Sequence, residues 1–221
     1  MKLQRIVQCG LLCVLLIPIV AFSAETPPNG SAPPVKKPAR PHRLSAPKID
    51  AKAAGAKAIE LYDTNHDGKL SGEELDKCPG LKAAIDEVDR GGKGEITAAD
   101  IAARIQAWLD SKLARMTFAC RVMHNGKPLE GAEVTFVPEK FLGGNVKPAK
   151  GKTNSKGMAM LSIPTSGPYD PPGVAPGFYR VEITKAGETI PAKYNTDTTL
   201  GQEIARDAKG IQQGIKFDLT Y

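Results

Sequence analysis

Apolar residues recur along this chain at two different spacings, and the change falls near residue 116. Before it the period is helical. Ala58, Ile59 and Tyr62 share one face of an alanine-rich helix over Ala51–Tyr62. A short helix spans Glu73 to Lys77, and Cys78-Pro79-Gly80 breaks it. Leu81, Ala84, Ile85 and Val88 have the spacing of a second helical face, and Ile101, Ile105, Trp108 and Leu109 line a third that runs to about Leu113. After residue 116 the period is two. Phe118, Cys120 and Val122 alternate, Asn125-Gly126 supplies a hairpin turn, and Val134 and Phe136 continue the pattern. Residues 138–151 read as a long loop. Asn154-Ser155-Lys156-Gly157 turns into Met158, Met160 and Ser162. Tyr179, Val181 and Ile183 form another strand, and Ile215, Phe217 and Leu219 a last one. Roughly six or seven short strands with turns between them predict a β-sandwich. The expected fold class is α+β multidomain, helical over 51–115 and all-β over 116–221.

Between the first two helices lies Asp63 to Glu74, which reads Asp-Thr-Asn-His-Asp-Gly-Lys-Leu-Ser-Gly-Glu-Glu. Ca²⁺ takes six to eight oxygen ligands in a flexible cage. A 12-residue loop can supply them from positions 1, 3, 5, 7, 9 and 12 around a glycine at position 6. Those positions hold Asp63, Asn65, Asp67, Lys69, Ser71 and Glu74, and Gly68 fills the turn. Lys69 would contribute its backbone carbonyl with its ammonium turned to water. Ser71 would act through a water and Glu74 with both oxygens. Three carboxylates around one divalent ion leave the filled site near −1. Leu70, at position 8, is the apolar residue that a paired loop packs against, and His66 points to solvent. This segment and its flanks resemble the EF-hand family, and the resemblance implies a calcium site at these six residues.

A second loop of the same length runs from Asp89 to Asp100. Gly94 and Ile96 sit at positions 6 and 8, but Gly91 at position 3 carries no oxygen. Lys93 at position 5 places a cation where a ligand is needed, and Asp100 at position 12 is shorter than glutamate. The expectation is a loop without metal whose Ile96 pairs with Leu70 across a short ribbon and so braces the first loop. The alternative is an ion held by Asp89, Asp100 and waters.

The strand-rich half resembles the transthyretin-like modules known as carboxypeptidase regulatory-like domains. The segments carrying this are Gly126 to Ala132 followed by Val134-Thr135-Phe136, then Thr153 to Met158, and Pro176 to Val181. The resemblance implies a seven-stranded Greek-key sandwich without catalysis. Two enzyme families on similar sandwiches fail on residues. The hydroxyisourate hydrolases end in Tyr-Arg-Gly-Ser, whereas this chain ends Phe217-Asp218-Leu219-Thr220-Tyr221. The intradiol dioxygenases need two tyrosines and two histidines, and His124 is the one histidine of this half. Cys120 and His124 lie in one strand at a separation of about 13 Å, too far for a nucleophile–base pair. The expectation is a non-enzyme.

The first 24 residues read as a secretory signal: Lys2 and Arg5, an apolar run from Ile6 to Phe22 interrupted by Gln8 and Pro18, and small residues around Ser23 and Ala24. An uncleaved membrane anchor is the alternative. Neither Cys9 nor Cys13 follows a small residue, which argues against lipidation. Residues 25–50 hold seven prolines and read as an extended spacer. The formal net charge of +6 is uneven: residues 51–110 carry −4 and residues 111–221 carry +5. No basic patch interleaved with aromatics points to nucleic acid. Cys78 and Cys120 follow the signal, and export permits a disulfide between them as readily as two buried thiols.

Together these features lead to an expectation of a secreted, periplasmic or cell-surface protein. One structural Ca²⁺ would stabilise an accessory sandwich, whose partner would be a cell-envelope or surface protein or polysaccharide. The alternatives are a calcium-responsive switch and an envelope- or carbohydrate-binding adhesin.

Overall fold

The helical half starts at Asp50, whose carboxylate accepts a hydrogen bond from the Ala53 backbone N–H at 3.0 Å and so caps α1 (Ala51–Tyr62). The computed structural model describes residues 44–165 and 170–221. The expected signal, residues 1–24, and most of the expected spacer, residues 25–50, lie outside the described residues. α1 buries Ala51, Ala54, Gly55, Ala58 and Tyr62, one stripe at helical spacing. After the first loop come β1 (Lys69–Ser71), α2 (Gly72–Asp76), α3 (Pro79–Ala83) and α4 (Ile85–Val88). After the second come β2 (Glu95–Thr97) and α5 (Ala98–Asp110).

The expected helix across Leu81–Val88 is two short ones, because the chain leaves helical geometry at Ala84 (φ −104°, ψ 15°). The helix before Cys78-Pro79-Gly80 does end there, at Asp76, and Pro79 and Gly80 also open α3, where a proline in the first turn has no N–H to waste. α5 stops at Asp110 instead of about Leu113. β1 and β2 pair antiparallel with Leu70 opposite Ile96, both fully buried, as their positions in the two loops imply.

The second half holds β3 (Ala119–His124), β4 (Lys127–Pro128), β5 (Ala132–Pro138), β6 (Ala149–Lys152), β7 (Met158–Met160), β8 (Gly177–Lys185), β9 (Gly201–Ile204) and β10 (Ile215–Leu219). In one sheet β3 is flanked by β10, which runs parallel to it, and on its other side by β4 and β7. The other sheet has the order β6-β5-β8-β9 and is antiparallel throughout. The loop expected over 138–151 instead contains a 3-10 turn (Lys140–Asn145) and the start of β6, a strand too glycine- and lysine-rich to show alternation. Inward-facing residues of the two sheets meet at Phe136, whose ring lies 5.8 Å from Phe118 and 6.2 Å from Phe217. The protein is therefore a mixed α+β fold.

The helices lie against the sheets, and the described residues form one compact unit with a shared core. α3 packs on β8 and β9, and α1 packs on the 3-10 turn. Trp108 of α5 meets Phe178 of β8 at 4.4 Å, and Tyr62 stands edge-on to Phe141 at 6.5 Å. Among the described residues no helix is long and apolar enough to cross a membrane.

Candidate metal-binding loop

α1 ends at Tyr62, which delivers Asp63 to the start of the first loop with 9% of its surface exposed. Gly68 adopts φ 82°, the left-handed turn that a side chain would strain. The loop is cross-braced by its own oxygens. Asp63 accepts from the backbone N–H of His66 (2.7 Å) and of Gly68 (2.9 Å). Asn65 Oδ1 accepts from Asp67 N–H, Asp67 Oδ1 accepts from Lys69 N–H, and the Asn65 amide donates to Asp67 Oδ2 at 3.1 Å.

Glu74 comes from α2 and reaches back across the loop. Its Oε1 accepts from Thr64 N–H at 2.8 Å and its Oε2 from Ser71 N–H at 3.1 Å. The N–H groups of Thr64 and Ser71 hold the Glu74 carboxyl below the usual carboxylate range. Asp63 and Glu74 thus stand at the two ends of one loop, both largely buried, with their oxygens turned toward its backbone.

Lys69 departs from expectation in one respect. Its ammonium does not face water alone but pairs with Glu95 at 2.7 Å, tying position 7 of one loop to position 7 of the other, and that hydrogen bond raises the ammonium's pKa. His66 is exposed, as expected.

All six expected donors are hard oxygens, the set that calcium takes and softer metals do not favour. As the side chains are placed, no three of His, Cys, Asp and Glu among the described residues are grouped to hold a metal ion, because the loop oxygens bind loop N–H groups. Each carboxylate offers about four lone-pair directions, so these bonds leave acceptors for a cation. The donor chemistry of Asp63, Asn65, Asp67, Ser71 and Glu74, with the Lys69 carbonyl, fits calcium.

The second loop lacks that set. Asp89 accepts from Gly91 N–H (3.1 Å) and Gly94 N–H (2.7 Å), and Gly91 and Lys93 are exposed. Asp100 is committed to Thr97, accepting from its N–H at 2.9 Å and its hydroxyl at 2.6 Å in the capping box of α5.

Two further carboxylates, on the sheet side, hold the helices around these loops. Glu139 is 1% exposed and accepts from Gly80 N–H at 2.8 Å and from the Tyr62 hydroxyl at 3.3 Å. Burial pushes Glu139 above the usual carboxylate range, and these hydrogen bonds only partly offset it. Glu203 takes the Arg104 guanidinium on both oxygens (2.6 and 3.0 Å) and the Trp108 indole N–H at 2.7 Å. Arg104 also forks onto Asp207 at 2.9 and 3.0 Å. Burial raises Glu203 more than its partners lower it.

Cys78 and Cys120 are free, buried thiols. Burial raises both, Cys120 to about 12. Sequence reading missed Glu139, Arg104 and Glu203 as structural groups. A lone charged residue beside a proline or in an amphipathic helix reads as solvated, and the only local hint was Arg104 on the apolar stripe of Ile101, Ile105 and Trp108.

A 460 Å³ cleft between the starts of α1 and α5 is lined by Ala51, Ala98, Ala99, Ala102 and Ala103 with Lys52 and Gln106, and offers no acid–base pair. Compared with protein-family models, curated proteins and solved structures, the chain matches none.

Proposed function

We propose that this protein holds one calcium ion in the loop Asp63–Glu74, and that the ion serves structure. The observation that carries the reading is the Glu74 carboxylate, which spans from Thr64 N–H to Ser71 N–H and so closes both ends of an all-oxygen loop that begins with a buried Asp63. Asp63, Asn65, Asp67 and Glu74 would hold the ion through side-chain oxygens, Lys69 through its carbonyl and Ser71 through a water. The bound ion would supply positive charge that the three carboxylates otherwise lack. The second loop braces the first through Leu70–Ile96 and Lys69–Glu95. This is the arrangement of an EF-hand pair with one working member.

Extracellular-type sites of this kind bind at about 10⁻⁴–10⁻³ M. At millimolar calcium, mass action then adds roughly 0.4–1.4 kcal/mol of stability. The two sheets fit an accessory transthyretin-like, Greek-key sandwich that meets an envelope or surface partner, in keeping with a secretory signal at the N-terminus. A calcium switch would have to part the helices, and the buried hydrogen bonds at Glu139 and Glu203 oppose that movement.

The test is a calorimetric calcium titration of the full chain beside its Glu74→Gln variant. One site in the wild type, lost in the variant, supports the reading. Two sites would revive the switch, and no binding at millimolar calcium would sink the proposal.

A further inference from the structure

The candidate loop is bracketed from outside. Tyr62, the last residue of α1, immediately precedes Asp63. Gly80 follows Glu74 in the first turn of α3. Both converge on one carboxyl group. Tyr62 donates its hydroxyl to one oxygen of Glu139, and Gly80 its backbone N–H to the other. Glu139 is distant from both in sequence, 77 residues from Tyr62 and 59 from Gly80.

It is also held in place. Its N–H donates to the Phe178 carbonyl of β8 at 2.9 Å, and its own carbonyl accepts from Leu142 N–H within the 3-10 turn at 3.0 Å. Phe141 of that turn lies against the Tyr62 ring. The anchor therefore belongs to the sheets, while the groups it grips belong to the helices on either side of the loop.

We propose that Glu139 is a positioning residue for the calcium loop: by gripping Tyr62 at the end of α1 and Gly80 at the start of α3, it fixes the separation of the two segments that flank the loop and with it the distance between Asp63 and Glu74. The inference rests on the calcium reading above. It adds that calcium affinity is set partly by the β-sheet half, which contributes no ligand. A loop whose flanking segments are already held at a set separation binds better, because less ordering is left for the ion to supply.

Coupling is reciprocal, so calcium must in turn tighten the hold of the sheets on the helices. The group suits the task. Buried hydrogen-bonded carboxyls have little freedom to relax, and burial has already raised Glu139 from its ordinary range.

The experiment compares calcium titrations of the full-length wild type, Glu139→Leu, Glu139→Gln and Tyr62→Phe, each at a temperature where circular dichroism in chelator shows full folding. The wild type is expected to bind one ion. Glu139→Leu should weaken binding about fivefold or more, the lower end of ordinary coupling between sites. Glu139→Gln should restore it nearly to wild type, because the amide oxygen still accepts from Gly80 N–H. Tyr62→Phe, which removes one arm, should fall between and keeps the test open if Glu139→Leu fails to fold.

A residue with a merely structural role would lower the thermal midpoint and leave the dissociation constant alone. Equal constants in the wild type and in the folded variants overturn this inference and leave the calcium reading intact. A wild type that binds no calcium removes both.

Discussion

The Cβ that Gly201 lacks would stand 1.8 Å from the carbonyl oxygen of Pro79. The first residue of β9 and the first residue of α3 thus touch backbone to backbone, and the helix seats on the sheet edge at a point where any side chain would intervene. Both partners are main chain, so neither can swing away. Gly201→Ala is expected to force α3 off β9 and to destabilise the protein by about 1–3 kcal/mol in urea denaturation, the usual cost of overpacking. Gly144→Ala, where nothing lies within 4 Å of the added carbon, is the control and should be nearly neutral. Equal midpoints for the two variants would mean that the helix and the sheet edge do not meet as described.

Arg104 and Glu203 are 4% and 2% exposed, so their pairing is shielded from water. Breaking a buried ion pair by removing one member leaves the other desolvated and unpaired, at about 3–5 kcal/mol. Arg104→Leu should approach that cost, because Glu203 would keep the Trp108 indole N–H alone. Replacing both residues by leucine should cost distinctly less than the sum of the single changes, since no buried charge is left behind. A double-mutant cycle in denaturant that proves additive would show that the pair is not coupled.

The sequence showed the two loops, the Leu70–Ile96 ribbon and the strands β3, β5, β8 and β10, because each is written in local periodicity or in turn glycines. It did not show β9. Gly201-Gln202-Glu203-Ile204 has no alternation to find: Gly201 is there for α3 and Glu203 for Arg104. It did not show the seating of the helices either. Glu139 and Glu203 meet partners 59 to 99 residues away, and no local pattern records which charged residue is turned inward. The loop oxygens were legible as a set; the Lys69–Glu95 pair depends on the second loop lying alongside and so was not.

The second loop is damaged at identifiable positions, and the damage should be reversible. Gly91 has no positive φ, and a Cβ there would meet its nearest neighbour, Lys93 Cε, at 3.4 Å, so aspartate can be introduced. Gly91→Asp with Lys93→Asp removes the misplaced cation and adds two carboxylates, and Asp100→Glu supplies the longer reach of position 12. The triple variant is expected to bind one calcium ion more than the wild type by calorimetric stoichiometry. An unchanged stoichiometry would show that the backbone of Asp89–Asp100, not its side chains, keeps the ion out.

Glu139 also predicts a pH dependence with a definite sign. Its carboxyl is pushed up by burial, so the folded protein holds that proton more tightly than the unfolded chain does. Between the ordinary glutamate value of about 4.3 and the raised folded value, the native state binds more protons, and stability contributed at this site falls as pH rises through the interval. The groups facing it do not reverse the sign. Tyr62 and Cys78 are both shifted upward and stay neutral there, and the Arg180 charge lowers Glu139 without cancelling the effect of burial. Glu139→Gln mimics the protonated acid at every pH. Its thermal midpoint should match the wild type at about pH 4, exceed it increasingly as pH rises through the raised folded value, and keep a constant lead above that, both measured in chelator so that calcium plays no part. Glu203, Glu74 and Asp207 titrate alike in both proteins and drop out of the difference. A gap that stays constant from about pH 4 upward would show that Glu139 ionises in the folded protein as freely as in water.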